Sequence, residues 1–297
     1  MTRKKRHRRR LTIGDWMIHS VLGLLFLIAV FPFYYVLIVS FADPVVYIHK
    51  VAYILPYSFD FQAYRMLVED SMLGSSLKIS AFITVVGTFI SILLTLMAAY
   101  GLSKKGSPLR RFFMTLVLIP MFFWGQLIPY YLQIKSLGLI NKVWVMILPL
   151  IVSPFYLVIL KNYFLSIPAS LEESAKLDGA NDLRILFQII VPISLPVIAS
   201  ITLFFAVDKW NEWWHAMLFV NDQKKWPLQM MLRDMLSSLT NSSISAIGKL
   251  MASKYKNMNP LSARMAAIIL ATIPILLVYP FLQRYFTKGI MIGSIKE

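Results

Sequence analysis

Six stretches of this chain contain no Asp, Glu, Lys or Arg, and each is close to the length that an apolar helix needs to cross a bilayer. A helix needs about 20 apolar residues to span the hydrocarbon core. The backbone must be helical there, because lipid offers no partners for its N–H and C=O groups. The pattern therefore predicts an all-α membrane protein with six transmembrane helices. The stretches are 16–41, 79–102, 112–134, 143–160, 185–207 and 265–283.

Positive charge beside the first stretch predicts the orientation. The chain has a net charge of +16, which could suggest a nucleic-acid partner, but seven basic residues lie within residues 3–10, immediately before an apolar run. This placement favours a cytoplasmic anchor. The run is too long for a signal peptide, so we expect it to be retained as the first span. Four more basic residues between spans two and three, within 103–111, agree with this orientation.

This topology predicts the domain organisation. We expect a basic cytoplasmic tail over 1–15, a six-span transmembrane domain over 16–287 and a cytoplasmic carboxyl-terminal tail over 288–297. The segment 208–264 then lies outside; it is rich in lysine, but long segments cross the membrane largely regardless of charge. The loop 167–191, between spans four and five, faces the cytoplasm.

This cytoplasmic loop has the pattern of two short helices joined by a sharp turn. Ser170 and Glu173 form a capping-box pattern at the start of the first helix. Gly179 permits the backbone reversal that ends a helix. Asn181 or Asp182 can cap a second helix, which runs to a proline. On periodicity alone, an ordinary amphipathic connector is an equal alternative.

The loop also resembles the EAA signature of permeases of ATP-binding-cassette importers, E-A-A-x3-G-x9-I-x-L-P. The matching residues are Glu173-Ser174-Ala175, Gly179 and Ile189-Ile190-Val191-Pro192, with Ser174 and Val191 as mild departures. The resemblance implies a coupling helix pair that docks on a cytoplasmic ATPase. We refer to residues 167–191 as the signature loop. The coupling residues that it predicts are Glu172, Glu173, Ser174, Ala175, Asp178, Gly179 and Ala180.

Other parts of the chain resemble the carbohydrate-uptake branch of these importers. The segment 208–213 is similar to the branch that includes the smaller permease subunit of the maltose importer. The segments 219–232, 271–281 and 288–296 are more similar to permeases for complex oligosaccharides such as alginate or pectin fragments. The resemblance implies a heteromeric complex in the prokaryotic cytoplasmic (inner) membrane, with both termini of this multi-pass chain in the cytoplasm. The implied partners are a second permease subunit, a cytoplasmic ATPase dimer, an extracytoplasmic sugar-binding protein and an oligosaccharide substrate.

The chain has no recognisable catalytic site. It has no G-x4-G-K-[ST] sequence, so we expect ATP and Mg to bind to a partner ATPase, with no cofactor in this chain. The four histidines are scattered and there is no cysteine, which argues against a metal site. An ion-coupled transporter would be expected to carry a charged group near mid-membrane, and the six stretches contain none. We therefore predict a transport subunit and not an enzyme.

Polar and aromatic residues after the fifth span are candidates for a substrate path. Trp210 and Trp213 can stack on sugar rings, and Asn211 and Glu212 can hydrogen-bond to hydroxyls. An interfacial aromatic belt is the alternative. Asp208 and Lys209 are expected to pair with each other or with a neighbouring helix.

The charge of the outer segment and the apolar character of the tail leave further alternatives. The lysines of 208–264 suggest an acidic binding protein or an anionic sugar, or a solvated loop with no specific role for its charge. The apolar tail 288–297 is expected to be buried; the resemblance implies contact with the ATPase dimer, with membrane adhesion as the alternative.

Overall fold

The computed structural model describes residues 12–42, 55, 59–69, 71–104, 106, 108–123, 126–237 and 260–293, without the side chains of 66, 71, 236, 260 and 278–293. Within these ranges the chain forms helices and no strand, so the predicted all-α class is confirmed. The chain divides into two compact units, Met1–Leu67 with Met251–Leu270, and Val68–Leu250 with Ala271–Glu297.

In the first unit, the long helix α1 (Ile13–Ser40) begins at a capping box formed by Thr12 and Asp15. At its other end, Ile38, Val39 and Ala42 form a small buried cluster. The hydroxyl of Ser262 donates to the carbonyl oxygen of Ala42 at 2.9 Å. Most of the remaining α1 surface is apolar and exposed, as suits a helix that faces lipid or another subunit.

Among the described residues, two helices have the length and apolar composition of complete membrane spans. These are α1 and the part Met72–Ser103 of α3 (Ser71–Ser103), which follows the short α2 (Gln62–Glu69). A third span is formed if Asp182–Ile193 and Leu195–Phe219, which are bent by 90° at their junction, count as one. The sixth predicted stretch lies in α13 (Pro260–Gly293). The total of six spans remains a prediction.

The third and fourth predicted spans are interrupted, and each consists of more than one helical segment. The third is divided between α4 (Arg110–Phe122) and α5 (Leu127–Ser136). The fourth begins as a 3-10 turn, Val143–Met146, and becomes helical only in α6 (Pro154–Ser166). Prolines lie in or beside both interruptions, and each proline removes a backbone donor and restricts the preceding residue. These are Pro120, Pro129, Pro149 and Pro154.

Helices α3, α6 and α10 (Leu195–Trp210) pack together in the second unit and form its core. Their buried contacts include Leu96, Phe164 and Phe205. Helix α3 also carries buried hydroxyl residues, which are small enough to let neighbouring helices approach closely. These are Ser76, Ser80, Thr88, Ser91, Thr95 and Ser103. Helix α10 is roughly 24 Å long. One group of short helical segments precedes its amino end, and another follows its carboxyl end.

The remaining elements lie near the two ends of α10. Before its amino end are α7 (Ala169–Leu177), α8 (Asp182–Ile185), a π-helical turn Leu186–Ile190 and α9 (Val191–Ile193). After its carboxyl end follow α11 (Trp214–Phe219), a 3-10 turn Gln223–Lys225 and α12 (Leu228–Ser237).

Candidate functional site

The signature loop is a helix pair joined by a glycine turn. Helix α7 ends at Leu177, and Gly179 has a φ of 77°, in the left-handed region. The N–H of Gly179 donates to the carbonyl of Lys176, and that of Ala180 donates to the carbonyl of Ala175, both at 3.0 Å. This pair of bonds defines a Schellman motif, in which glycine is the preferred residue at the left-handed position. The predicted turn at Gly179 is confirmed.

The caps of the two helices differ in part from the prediction. Helix α7 begins at Ala169 with Pro168 as its N-cap, and no side chain caps it, so the predicted capping box of Ser170 and Glu173 was wrong. Proline fixes its own φ, so the helix can start immediately after it, which places Ser170 inside the first turn. At the second helix, Asn181 is the cap, because its side-chain oxygen accepts from the N–H of Arg184 at 2.8 Å.

The second helix also continues past its expected end. It was predicted to stop at Pro192, but it widens into the π-helical turn and ends at Ser194, before the bend into α10. A π-helical turn is a common way to accommodate an irregularity within a helix. The ring of Pro192 would clash with the carbonyl of Gln188 in a regular α-helix, which gives a physical reason for the irregularity here.

The inner face of the loop is packed against the ends of the core helices. Ala175 of α7 and Ile185 of α8 are buried in the same cluster as Tyr100, Leu160 and Phe164. Burial of this face fixes the helix pair to α3 and α6 by apolar contacts. Of the predicted coupling residues, Ala175 therefore lies inside, and Ala180 packs partly against the same cluster.

Ion pairs attach the loop to the carboxyl end of α3. The ammonium group of Lys104 binds the carboxylate of Glu172 and lies 3.9 Å from that of Asp182. It also donates to the hydroxyl of Tyr100 at 2.6 Å. Burial alone would lower the pKa of Lys104, but the hydrogen bonds to Glu172 and Tyr100 outweigh it and raise this pKa above its ordinary value. The Glu172 carboxylate is thus directed toward its own chain.

The outer face of the loop is open to solvent. Glu173, Ser174, Asp178 and Gly179 are exposed there. Leu177 is 90% exposed, although it is a large apolar residue in a charged segment. Leu177 was not among the coupling residues predicted from the sequence. It lies three residues after Ser174, so both residues are on the same face of the helix, and this spacing could have identified Leu177.

A cavity of about 770 Å³ lies beside the carboxyl end of α10. Three of the four candidate path residues, Asn211, Glu212 and Trp213, line it, whereas Trp210 is buried in the interior and is not a lining residue. Several lining residues come from the two halves of the interrupted third span. The other lining residues are Pro120, Phe123, Gln126, Leu127, Tyr130, Leu150, Asp208, Trp214 and His215.

His215 holds Glu212 in place at the cavity wall. Its backbone N–H and its ring Nδ1 each lie 2.9 Å from one oxygen of the Glu212 carboxylate. Its Nε2 lies 2.9 Å from the hydroxyl of Tyr130 on α5. Because an ionised carboxylate only accepts, Nδ1 is the donor to it. This buried histidine was expected to be satisfied and not a metal ligand, and the structure gives it hydrogen bonds on both ring nitrogens.

Asp208 and Lys209 bind neighbouring segments and not each other. The Asp208 carboxylate accepts from the Tyr156 hydroxyl at 2.9 Å. The buried Lys209 ammonium donates to the carbonyl oxygens of Met146 and Ile147, at 3.3 and 3.1 Å. These carbonyl groups lie at the end of the 3-10 turn of the interrupted fourth span. In a regular helix they would accept from backbone N–H groups, and here the lysine ammonium group is their donor.

Helix α12 closes one side of the turn that carries Asn211 and Trp213. The Gln229 side-chain amide donates to the Asn211 side-chain oxygen at 3.3 Å. The guanidinium carbon of Arg233 lies over the Trp213 ring, 3.7 Å from the ring centroid. Arg233 was not among the candidate path residues predicted from the sequence.

Several known proteins are similar to this chain in sequence or in fold. The family described as "Binding-protein-dependent transport system inner membrane component" matches residues 87–292. The chain is 43% identical to the "Polygalacturonan/rhamnogalacturonan transport system permease protein YtcP" of Bacillus subtilis, over 95% of this chain and 98% of that protein. It is 40% identical to the protein LplC of the same organism, over 94% and 95%.

One solved structure is similar over nearly the whole chain. It is that of a bacterial ABC transporter involved in the import of the acidic polysaccharide alginate. The similarity has a TM-score of 0.84 at 30% sequence identity and covers 93% of this chain and 98% of the other.

Proposed function

Because the chain belongs to the family of binding-protein-dependent transport system inner membrane components, we propose that it forms half of a translocation path and couples this path to a separate ATPase. The chain is a non-enzymatic permease component of an ABC importer for carbohydrates or oligosaccharides. The finer proposal concerns how its own residues serve that role. This proposal also includes six membrane spans, with both termini of the chain in the cytoplasm.

One observation carries the coupling proposal: the signature loop has a fixed inner face and an open outer face. Ala175 and Ile185 bury the inner face, and Lys104 ties Glu172 and Asp182 to α3. A displacement of this loop therefore moves α3 and α10 with it, because packed interiors transmit displacement and do not absorb it.

The outer face would meet the ATPase. Glu173 and Asp178 offer negative charge there, and Leu177 offers apolar area at the tip. An apolar residue surrounded by polar ones is typical of an anchor in a protein interface. ATP and Mg would bind on the partner ATPase dimer, and closure of that dimer would displace the loop.

Charge reversal on the outer face tests the coupling proposal. We expect Glu173→Lys to lower the recovery of the ATPase with the affinity-purified permease. Lys135→Glu, an exposed charge reversal at the carboxyl end of α5, serves as the matched control and should leave recovery unchanged. Equal ATPase recovery with Glu173→Lys and with the wild type would contradict the assignment of this face.

We further propose that the transported substrate is an acidic oligosaccharide delivered by an extracytoplasmic binding protein to this chain and a second permease subunit. Support comes from two similar proteins, one named for transport of polygalacturonan/rhamnogalacturonan and one involved in the import of alginate. The cavity beside α10 would form part of the path. Its aromatic side chains can stack on sugar rings, and its amide and carboxylate groups can bind hydroxyls.

An aromatic belt at the membrane interface was the alternative for these tryptophans. Trp213 and Trp214 are only partly exposed and line a concave site together with polar groups, which favours the path. The experiment that tests the substrate class is purification of the complete complex, followed by ATPase measurements with uronate-containing and neutral oligosaccharides of equal length. Stimulation by neutral sugars alone would contradict an acidic substrate.

A further inference from the structure

Two side chains of α12 support the turn that lines the cavity. Gln229 and Arg233 are four residues apart, so they lie on the same face of the helix. The first binds Asn211 and the second lies over the ring of Trp213. Both partners are cavity-lining residues. The face of α12 that carries Arg233 is therefore held at the edge of the cavity.

The charge of Arg233 has no anionic partner among the residues that the structure describes. Its side chain is exposed, and the ion pairs found in those ranges involve other cations. By contrast, Lys225 pairs with Asp222 at 3.4 Å, and Lys209 is buried against backbone carbonyls. Contact with an aromatic face restrains a guanidinium but leaves its in-plane N–H donors available.

The acidic side chains of the cavity favour sugar hydroxyls over a carboxylate at their own positions. Asp208 and Glu212 are both lining residues, and like charges in a concave site repel. These two carboxylates suit sugar hydroxyls, which can donate to them. An anionic group of a bound sugar would therefore be stabilised at the edge of the cavity, where Arg233 is held, and not in its interior.

We propose that Arg233, held by Trp213, forms a carboxylate-binding subsite that selects uronate residues of an oligosaccharide. The subsite rests on the proposed function of the cavity as part of the sugar path. Arginine suits this task because its planar fork can bind both carboxylate oxygens at once. Trp213 then serves as the support of the guanidinium, and Trp214 and Tyr130 are further aromatic side chains that line the cavity.

The test uses the complete importer in proteoliposomes and two substrates of the same shape. These are an oligogalacturonate and its fully methyl-esterified form, in which each carboxylate has lost its charge and gained one methyl group. The measured quantity is the rate with the acid divided by the rate with the ester. Each variant and the wild type are measured at the same saturating concentration of binding protein. Any preference of the binding protein for the acid or the ester is then the same for both and cancels when their ratios are compared.

We expect Arg233→Gln to lower this ratio roughly 10- to 100-fold, the range for loss of hydrogen bonds to a charged group. Arg233→Lys should lower it less, because it keeps the charge and loses the fork. Lys224→Gln removes one positive charge from an exposed position of the same segment and should leave the ratio unchanged. The rate with the ester should stay near the wild-type value with Lys224→Gln, and should fall less than the rate with the acid in the two Arg233 variants.

Two results would overturn the subsite while oligosaccharide import stands. One is an Arg233→Gln ratio equal to that of the wild type. The other is an equal loss of rate with acid and ester, which would show that Arg233 only covers Trp213. A wild-type importer that transports the ester and not the acid would overturn the acidic substrate class, and the subsite with it.

Discussion

Two glycines of this chain allow backbone strain to be separated from coupling. Gly179 in the signature loop has a φ of 77°, and Gly138, just after α5, has a φ of 65°. At neither position does an added Cβ meet any atom within 4 Å. Substitution by alanine therefore adds backbone strain without a steric clash. An L-residue in this left-handed region costs about 1–2 kcal/mol, so we expect Gly179→Ala and Gly138→Ala to lose similar stability.

Only the substitution at Gly179 should affect coupling. The strain opposes the turn that orients the exposed face of α7 toward the ATPase. A cost of about 1–2 kcal/mol lowers the population of the native turn roughly 5- to 30-fold relative to alternatives. We therefore expect Gly179→Ala to reduce substrate-stimulated ATP hydrolysis and uptake, and Gly179→Val to abolish uptake, since a β-branched residue is worse in this region.

The assay measures three quantities for each variant: thermal unfolding in detergent, uptake, and ATP hydrolysis with and without substrate. Gly138→Ala should match Gly179→Ala in thermal stability and retain wild-type coupling. Two outcomes would refute the reasoning. Either full coupling in Gly179→Val, or the same loss of coupling in both alanine variants, would show that the conformation of this turn does not control the ATPase contact.

Three other perturbations test the contacts around the two regions. Reversing Lys104 or Glu172 alone should weaken ATPase recovery, and the double exchange K104E/E172K should restore it. Because both side chains are 24% exposed, we expect a coupling energy of only about 0.5–1 kcal/mol from a double-mutant cycle. Because the pKa of Lys104 is raised, the contribution of this ion pair to stability is complete at neutral pH. It is lost only as the pH rises through that pKa in the alkaline range, which unfolding measurements at increasing pH can detect. Gly87→Val should lower the free energy of unfolding by about 1–3 kcal/mol, because an added Cβ lies 3.3 Å from the Lys209 stem; wild-type thermal stability would contradict this contact. Deletion of 289–297 should uncouple hydrolysis from uptake if the tail reaches the ATPase, and normal coupling would leave membrane adhesion as its role.

Several features could be predicted from the sequence because they depend on local chemistry. Long uncharged stretches predicted helices, since any other backbone leaves polar groups unpaired in lipid. The turn at Gly179 and the cap at Asn181 were also predictable from local chemistry. Each provides hydrogen-bond partners for backbone groups that are only a few residues away. The capping box at Ser170 failed because Pro168, two residues earlier, already sets the start of the helix.

The contacts that shape both candidate regions depend on residues far apart in the chain. Lys104 and Glu172 are separated by 68 positions, Lys209 and Ile147 by 62, and His215 and Tyr130 by 85. Residue type showed that each side chain was polar but did not identify its partner. Lys209, for example, binds carbonyls that are available only because the fourth predicted span is interrupted at Met146 and Ile147. The sequence determined where polar groups occur, and the packing of α3, α6 and α10 decided which of them meet, because a buried donor or acceptor must find a partner among the groups that packing brings within reach.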